Sequence, residues 1–305
     1  MGDALTAVPL IAALRAHGFR VGAVLRPGNA HAYSARACDA LHIAAEAPER
    51  LAPEVAREKY DCALIVTEKP EAYRLAARAR IPQRIGFENG WGKPLKTLWI
   101  GRLCTQTVFR TAGLDPHAPH ECKVVFSLAR TLLPDAEPSR NPAVLRRYVI
   151  DEEPQPDRRI AMQISDKWAR LGARMEDVVE AARRARAFGE VRFLCAGSEA
   201  AYGNRFAQEI GEPVEFFDDL RPWKNAVACA RAILSPDSGA AHVAGMTGTP
   251  VAVCFEAQHF DLQSARWSPW AAPYRAVKID GAWPAVAADA LGELLTGSPR
   301  ISYTG

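Results

Sequence analysis

The sequence predicts an α/β protein made of two Rossmann-like domains, and three observations predict it. Helical and strand-like apolar patterns alternate along nearly all of the 305 residues. The strand-like segments are mostly short continuous apolar runs, the form taken by strands covered on both faces of a parallel sheet. A charged, proline-rich stretch with Pro134, Pro138, Pro142, Pro154 and Pro156 divides the alternation into two series.

In the first series, Leu5 to His17 has the apolar spacing of a helix and Arg20 to Leu25 that of a short strand. Asp61 to Thr67 reads as a buried strand, Glu71 to Ala79 as a helix, and Lys96 to Ala112 as a longer helix carrying Leu98, Ile100, Leu103 and Val108. Gly2-Asp3-Ala4-Leu5 has the look of a loop that closes a first strand and opens a first helix, yet no strand precedes it. A parallel sheet usually keeps its first strand near the centre, where its loss exposes neighbouring backbone groups. The expectation is therefore a missing first strand, through a natural start upstream or truncation of the chain.

The second series runs through strand Arg159–Ile164, helix Met175–Phe188, strand Glu190–Ala196, helix Glu199–Ile210 and strand Val214–Phe217. A helix near Pro222–Cys229, strand Ala232–Ser235, a helix opening after Ser238 and strand Val251–Phe255 complete it. The expected division is a first domain over residues 1–140, a linker over 141–158 and a second domain over 159–285. Residues 286–305 are expected to form a C-terminal helix and tail that pack back on the first domain. Ligands in such folds bind at the carboxyl ends of strands, here in a cleft between the domains.

Composition narrows the function classes. Hydrophobic residues make up 49% and charged residues 24%, a globular balance, and the net charge of +3 is too small for a general nucleic-acid binder. The seven cysteines (Cys38, Cys62, Cys104, Cys122, Cys195, Cys229 and Cys254) are scattered, with no C-x-x-C pair and no metal-ligand spacing. An odd number of thiols inside apolar runs points to a reducing, cytoplasmic setting. No run approaches the apolar length of a membrane span and no signal peptide is visible, so any membrane contact is expected to be peripheral.

The richest segment is Ser235-Pro236-Asp237-Ser238-Gly239-Ala240-Ala241-His242, followed by Gly248-Thr249-Pro250 and the apolar run Val251–Phe255. It reads as strand, turn, helix, loop and buried strand. The turn sets Ser238 and Gly239 at a helix start, where free N–H groups and the positive end of the helix dipole hold a phosphate or diphosphate. His242 lies close enough along the helix to reach the same anion.

Several motifs occur in the order found in the glycosyltransferase family that contains the bacterial lipopolysaccharide heptosyltransferases. Gly2, Asp3, Leu5 and Pro9 match its Gly-Asp-x-Leu-x-x-x-Pro, and Arg84-Ile85-Gly86-Phe87 match its Arg-Ile-Gly-aromatic segment. Lys167-Trp168 match its lysine–tryptophan loop, and Asp237 to Phe255 match its Asp-Ser/Thr-Gly-x-x-His followed by Gly-x-Pro and an apolar strand. Trp267-Ser268-Pro269-Trp270 is similar to its aromatic-Pro-Trp ending. Three departures stand out: Glu256-Ala257-Gln258 where relatives carry Gly-Pro-Thr, Ala169 where proline usually follows the Lys-Trp pair, and a short Gln163–Asp166 loop.

The resemblance implies glycosyltransferase family 9 and its GT-B fold, and an inverting transfer of heptose or hexose from a nucleoside-diphosphate sugar, ADP-heptose first among donors. It implies Asp3 as the general base that takes the acceptor hydroxyl proton, its ionised form favoured near a helix N-terminus. Read from the sequence alone, without the resemblance, Asp3 is first an N-cap of helix Leu5–His17. Lys167 is the cation for the leaving diphosphate, where a fixed charge in a dry site counts most in the transition state; the alternative is a solvated surface lysine. Ser165 adds a hydroxyl donor. Ser238 and Gly239 supply backbone donors, with Gly239 permitting close approach. Asp237 either caps the helix or bonds a sugar hydroxyl, and His242 either donates to phosphate or packs as a core histidine.

Gly197-Ser198-Glu199 and Phe217-Asp218-Asp219-Leu220 would line the base and ribose, with Glu199 on the ribose hydroxyls or simply in a helix first turn. Arg74, Arg78, Arg80, Arg84, Lys93, Lys96 and Arg102 cluster in the first domain with Trp91 and Trp99 nearby. Among them Arg84 and Lys93 are the candidates for an anionic glycolipid or glycan acceptor of the lipopolysaccharide inner core, with peripheral contact at the inner membrane face. No Asp-x-Asp motif suggests a metal, so no cofactor is expected beyond the sugar nucleotide. Two other classes remain: a non-catalytic nucleotide-sugar-binding protein, and a sugar-nucleotide epimerase or hydrolase on the same fold.

Overall fold

The computed structural model describes residues 2–111, 115 and 118–297. Ala112, where the longer helix was expected to end, and the tail over 298–305 lie outside these residues. The described chain divides into two units, one joining residues 2–5 to 140–297 and the other lying within 6–139. Residues 2–5 therefore belong with the second series, which matters for the site.

Among the described residues, unit two holds five strands in two parallel sheets. β1 (Gly22–Leu25) pairs with β2 (Ala40–Ile43), and β3 (Cys62–Ile65) pairs with β4 (Gln83–Glu88), which pairs with β5 (Gln106–Phe109). Among the described residues β1 and β3 each have a single strand neighbour. One core cluster surrounds Tyr73, Ile65, Ile100 and Cys104, and another gathers Ile85, Phe87, Val124 and Leu128. The Tyr73 hydroxyl donates to Phe87 O at 3.0 Å, tying helix Pro70–Arg78 to β4.

Two expectations fail here. The longer helix ends at Leu103, and Val108 belongs to strand β5. The β-branched and polar sequence Thr105-Gln106-Thr107-Val108 has strand propensity that chance helical spacing concealed. Helix Leu5–His17 is two helices, Gly2–Leu5 and Val8–Ala16, the second starting with Pro9 in its first turn, where a missing N–H costs nothing.

Unit one is built on a six-stranded, all-parallel sheet of β6 (Ile160–Ile164), β7 (Val191–Ala196), β8 (Glu215–Phe217), β9 (Ala232–Pro236), β10 (Val251–Glu256) and β11 (Tyr274–Ile279). Their spatial order is β8-β7-β6-β9-β10-β11, which is the doubly wound order with its reversal between β6 and β9. β6 and β9 are buried along their whole lengths, with Ile160 opposite Ala232 and Met162 opposite Leu234. Around them Trp168 stacks on Trp283 with ring centroids 5.1 Å apart, and Phe193 meets Phe206 edge-on at 5.0 Å. Each such pair adds about 0.5–1.5 kcal/mol beyond area burial. The C-terminal helix, Trp283–Thr296, was expected on the first domain; its buried side lies on helix Met175–Ala185 and on β9, β10 and β11 of unit one. Two Rossmann-like units of this kind make up the GT-B fold.

Candidate functional site

In a doubly wound sheet the crevice for a ligand opens where the strand order reverses, outside the carboxyl ends of the two diverging strands. Here those strands are β6, which is followed by Ser165-Asp166-Lys167, and β9, which is followed by Asp237-Ser238-Gly239. The topology thus sets the predicted cation and the predicted anion-binding turn side by side.

The turn is built to leave donors open. Ser238 occupies the N-cap position of helix Gly239–Thr247 in an extended conformation, yet its side chain makes no capping bond. Its Oγ instead meets Ser235 Oγ at 3.1 Å, and the Ser235 hydroxyl donates to Pro236 O at 2.7 Å. A serine at this position normally accepts from the first-turn N–H groups. With Ser238 turned away, the amides of Gly239, Ala240 and Ala241 lack that side-chain acceptor and form the positive end of the helix dipole. The N-cap falls to Ser238 and not to Asp237, whose own N–H donates to Cys254 O at 2.8 Å.

Charges gather around this turn. Burial raises the Asp237 pKa above the usual carboxylate value; the Lys167 ammonium opposes that rise, and the negative charges of Asp3 and Glu256 add to it. His242 is buried and its pKa is pushed down to about 4, first by burial and further by positive charge that includes Lys167, so its imidazole is neutral near pH 7. Its ring packs edge-on against Trp267, with centroids 6.0 Å apart. A neutral imidazole can still donate one N–H to a phosphate oxygen, so both readings of His242 fit this burial.

Asp3 reaches the cluster through an unexpected route. It sits exposed in the first turn of the short helix Gly2–Leu5, which packs on helix Gly239–Thr247, and it does not cap helix Val8–Ala16. Gly2 is required there: a Cβ on it would lie 2.7 Å from His242 Cδ2.

Lys167 is half-buried and opens the short helix Lys167–Arg170, anchored from below. Its N–H donates to Ser165 Oγ at 3.1 Å, and the fully buried Trp168 donates through Nε1 to Gln163 O at 2.8 Å. Gln163 Oε1 accepts from Trp223 Nε1 at 2.9 Å, so two indoles lock the end of β6. Ser165 is buried, and its hydroxyl is occupied by Lys167 N and Glu199. Burial also raises the pKa of Glu199 in spite of the Ser165 hydrogen bond, and nearby Asp166 shares in its environment. Glu199 Oε2 and the Tyr202 hydroxyl, like the core indole nitrogen of Trp283, are buried without a hydrogen-bond partner among the described residues.

The sequence reading missed Glu256, whose charge acts on Asp237 and whose Oε1 accepts from Gln263 Nε2 at 2.7 Å. It stands in the segment already noted as a departure, but its proximity depends on β9 and β10 being neighbours. Trp267 against His242 was missed for the same reason. Arg84 and Lys93 belong to unit two. The Arg84 guanidinium donates to Leu103 O and Ile81 O, each at 2.6 Å, so its donors serve the backbone; Lys93 is exposed ahead of helix Pro94–Leu103. Among the described residues no group of three or more His, Cys, Asp or Glu side chains is arranged to hold a metal ion, and no helix is long and apolar enough to cross a membrane.

No protein-family model matches the chain, and no curated protein matches it. Solved structures do. The chain is similar to a glycosyl transferase family 9 structure from Veillonella parvula, with TM-score 0.74 and 13% identity over 98% of this chain and 95% of that one. It is similar to ADP-heptose LPS heptosyltransferase II of E. coli, with TM-score 0.70 and 15% identity over 97% and 96%. It is also similar to E. coli heptosyltransferase WaaC with ADP, with TM-score 0.67 and 14% identity over 97% and 96%. A UDP-N-acetylglucosamine 2-epimerase is further away, at TM-score 0.53. At these identities the likeness establishes the fold, the one that the sequence motifs implied.

Proposed function

We propose that the protein is an inverting glycosyltransferase that uses a nucleoside-diphosphate sugar. The observation that carries this reading is the uncapped start of helix Gly239–Thr247 beside Lys167 at the reversal point of the sheet, with the Asp3 carboxylate in the same cluster. The acceptor hydroxyl oxygen attacks the anomeric carbon, its proton passes to Asp3, and the bond from that carbon to the diphosphate oxygen breaks. The electron pair leaves with the diphosphate, whose growing charge is met by the first-turn amides, the Lys167 ammonium and a His242 N–H. Glu199, with its unpartnered oxygen, accepts from ribose hydroxyls, and Ser165 orients it. Asp237, whose pKa is raised by burial, bonds a sugar hydroxyl.

ADP-heptose is the favoured donor because one neighbour is an ADP-heptose LPS heptosyltransferase and another is a heptosyltransferase solved with ADP. A lipopolysaccharide inner-core glycolipid is the favoured acceptor, with Lys93 on its anionic groups and the protein at a membrane surface while it works. Epimerase or hydrolase chemistry and sugar-nucleotide binding without turnover are the competing outcomes. Calorimetry with ADP, UDP and GDP, followed by turnover with the matching sugar nucleotides, tests the reading. Binding of ADP and acceptor-dependent ADP release are expected; free sugar or an epimer as the product would refute it.

A further inference from the structure

The four most exposed large apolar side chains among the described residues all fall within one short stretch of unit two: Trp91 at 95%, Leu95 at 83%, Phe109 at 63% and Leu98 at 58%. Their grouping follows from the local fold. Leu95, Leu98 and Arg102 are spaced i, i+3, i+7 along helix Pro94–Leu103, so they share one face, while Ile100 on the other side is fully buried. Trp91 precedes Leu95 by one helical turn in the tight Gly90–Gly92 turn. Gly90 lies against the Phe109 ring, since a Cβ on it would be 3.3 Å from Phe109 Cε2, and this joins β5 to the same patch.

That display is held firmly. Asn89, 2% exposed, donates its N–H to Thr97 Oγ1 at 3.2 Å and its side-chain amide to Arg110 O at 2.9 Å. Thr97 Oγ1 donates to Gly90 O at 3.2 Å, and Lys96 Nζ bridges Asn89 Oδ1 at 3.0 Å and Glu68 Oε2 at 2.9 Å. A network of this kind fixes the turn, and what it fixes is an indole standing in water. Folding gains nothing from such a placement, whereas a binding surface does.

The chemistry of the rim selects the partner. From Asn89 to Thr111 the chain carries Lys93, Lys96, Arg102 and Arg110 and no acidic residue. The nearby acids are engaged in hydrogen bonds: Glu88 accepts from Gly90 N at 2.6 Å, and Glu68 accepts from Lys96 at 2.9 Å. Lys93 and Arg102 are exposed at either end of the apolar face. An apolar helix face with a tryptophan, bordered by cations, suits the interface of an anionic bilayer, where the indole sits at headgroup level and the basic side chains reach lipid phosphates.

We infer that the Trp91-Leu95-Leu98-Phe109 face, rimmed by Lys93 and Arg102, is a docking surface for an anionic lipid bilayer. The inference deepens the proposed function by naming the surface that brings the protein to its acceptor, yet its test needs neither donor nor acceptor. Vesicles of phosphatidylethanolamine and phosphatidylglycerol, free of glycolipid, are mixed with the full chain and floated. The wild-type protein floats with them and binds phosphatidylcholine vesicles more weakly. The Trp91→Ser/Leu95→Ser/Leu98→Ser variant, checked for native circular dichroism and for ADP affinity equal to that of the wild type, loses at least about tenfold in affinity.

Trp91→Phe retains flotation but removes the component of tryptophan fluorescence that bromine-labelled lipid chains quench, which locates the insertion at this residue. Asp3→Ala floats normally, so loss of transfer and loss of docking are separate results. Absence of flotation, flotation unchanged in the triple variant, or concentration-dependent self-association removed by that variant without vesicle binding would each overturn the assignment.

Discussion

The sheet of unit one and the sheets of unit two use the same kind of short apolar strand, but they bury it differently. Every residue of β6 and β9 is buried, whereas β1 alternates between exposed and half-buried positions, and β3 has one buried residue in four. Six strands in one sheet place β6 and β9 in the interior, with helices on both faces. Unit two divides five strands between two sheets, so Val24 is 39% exposed and Leu41 is 45% exposed. Strand composition alone does not secure burial; the number of neighbouring strands does. The chemistry follows this division. Lys167 and the Asp237–His242 turn grow from the buried strand ends, where rigid backbone can hold a charge in place. The exposed apolar face of helix Pro94–Leu103 belongs to the less deeply buried unit.

The largest expected effect separates chemistry from binding within unit one. Asp3→Ala should lower transfer by about 10²–10⁴-fold while leaving ADP affinity within about threefold, because a general base acts only on the acceptor proton. Retained turnover, measured by ADP release, would remove Asp3 from the mechanism. Lys167→Met should cost about 10²–10³-fold in kcat and also weaken ADP binding, since in the proposed mechanism the ammonium meets the diphosphate in both states.

The contrast in burial predicts a contrast in stability. Trp168→Ala removes a side chain that is fully buried, stacked on Trp283 and hydrogen-bonded to Gln163 O, and should cost about 3–5 kcal/mol in denaturant unfolding. Leu41→Ala in β2 should cost about 0.5 kcal/mol or less. Equal losses would mean that the exposed strands of unit two are covered in solution.

A third prediction concerns pH. His242 titrates at about 4 in the folded protein and near 6.5 when unfolded. The unfolded state therefore binds the extra proton first as pH falls. The stability associated with the neutral buried ring is complete above about pH 6.5 and drains away between there and pH 4. Lowering the pH from 7 to 5 should destabilise the wild type by about 2 kcal/mol more than His242→Gln. Parallel pH profiles for the two proteins would show that the ring is solvated.

Much of unit one was legible because its signals are local. The turn chemistry of Asp237-Ser238-Gly239 and the apolar runs of β6, β7, β9 and β10 carry their meaning in a few consecutive residues. Strands β2, β4 and β11 were missed: Ala40–Ile43 is short, Gln83–Glu88 stands out in the sequence only for its Arg-Ile-Gly-Phe motif, and Tyr274–Ile279 contains Arg275 and Lys278. Strand β5 was absorbed into a helix by coincident spacing. The site shows the same limit: Lys167, Asp237 and His242 could be named from motifs, but Glu256 and Trp267 reach the cluster through strand order and packing. That Gly2–Leu5 packs on helix Gly239–Thr247 has no signature in consecutive residues at all.

The central claim is that the sheet reversal in unit one holds a diphosphate on uncapped helix amides beside Lys167. A crystal structure of the protein with ADP tests it most directly. The account predicts diphosphate oxygens within hydrogen-bonding distance of the Gly239–Ala241 amides and of Lys167 Nζ, with the ribose on Glu199. A diphosphate bound elsewhere, or Ser238 rotated to cap the helix with ADP absent from the turn, would contradict it.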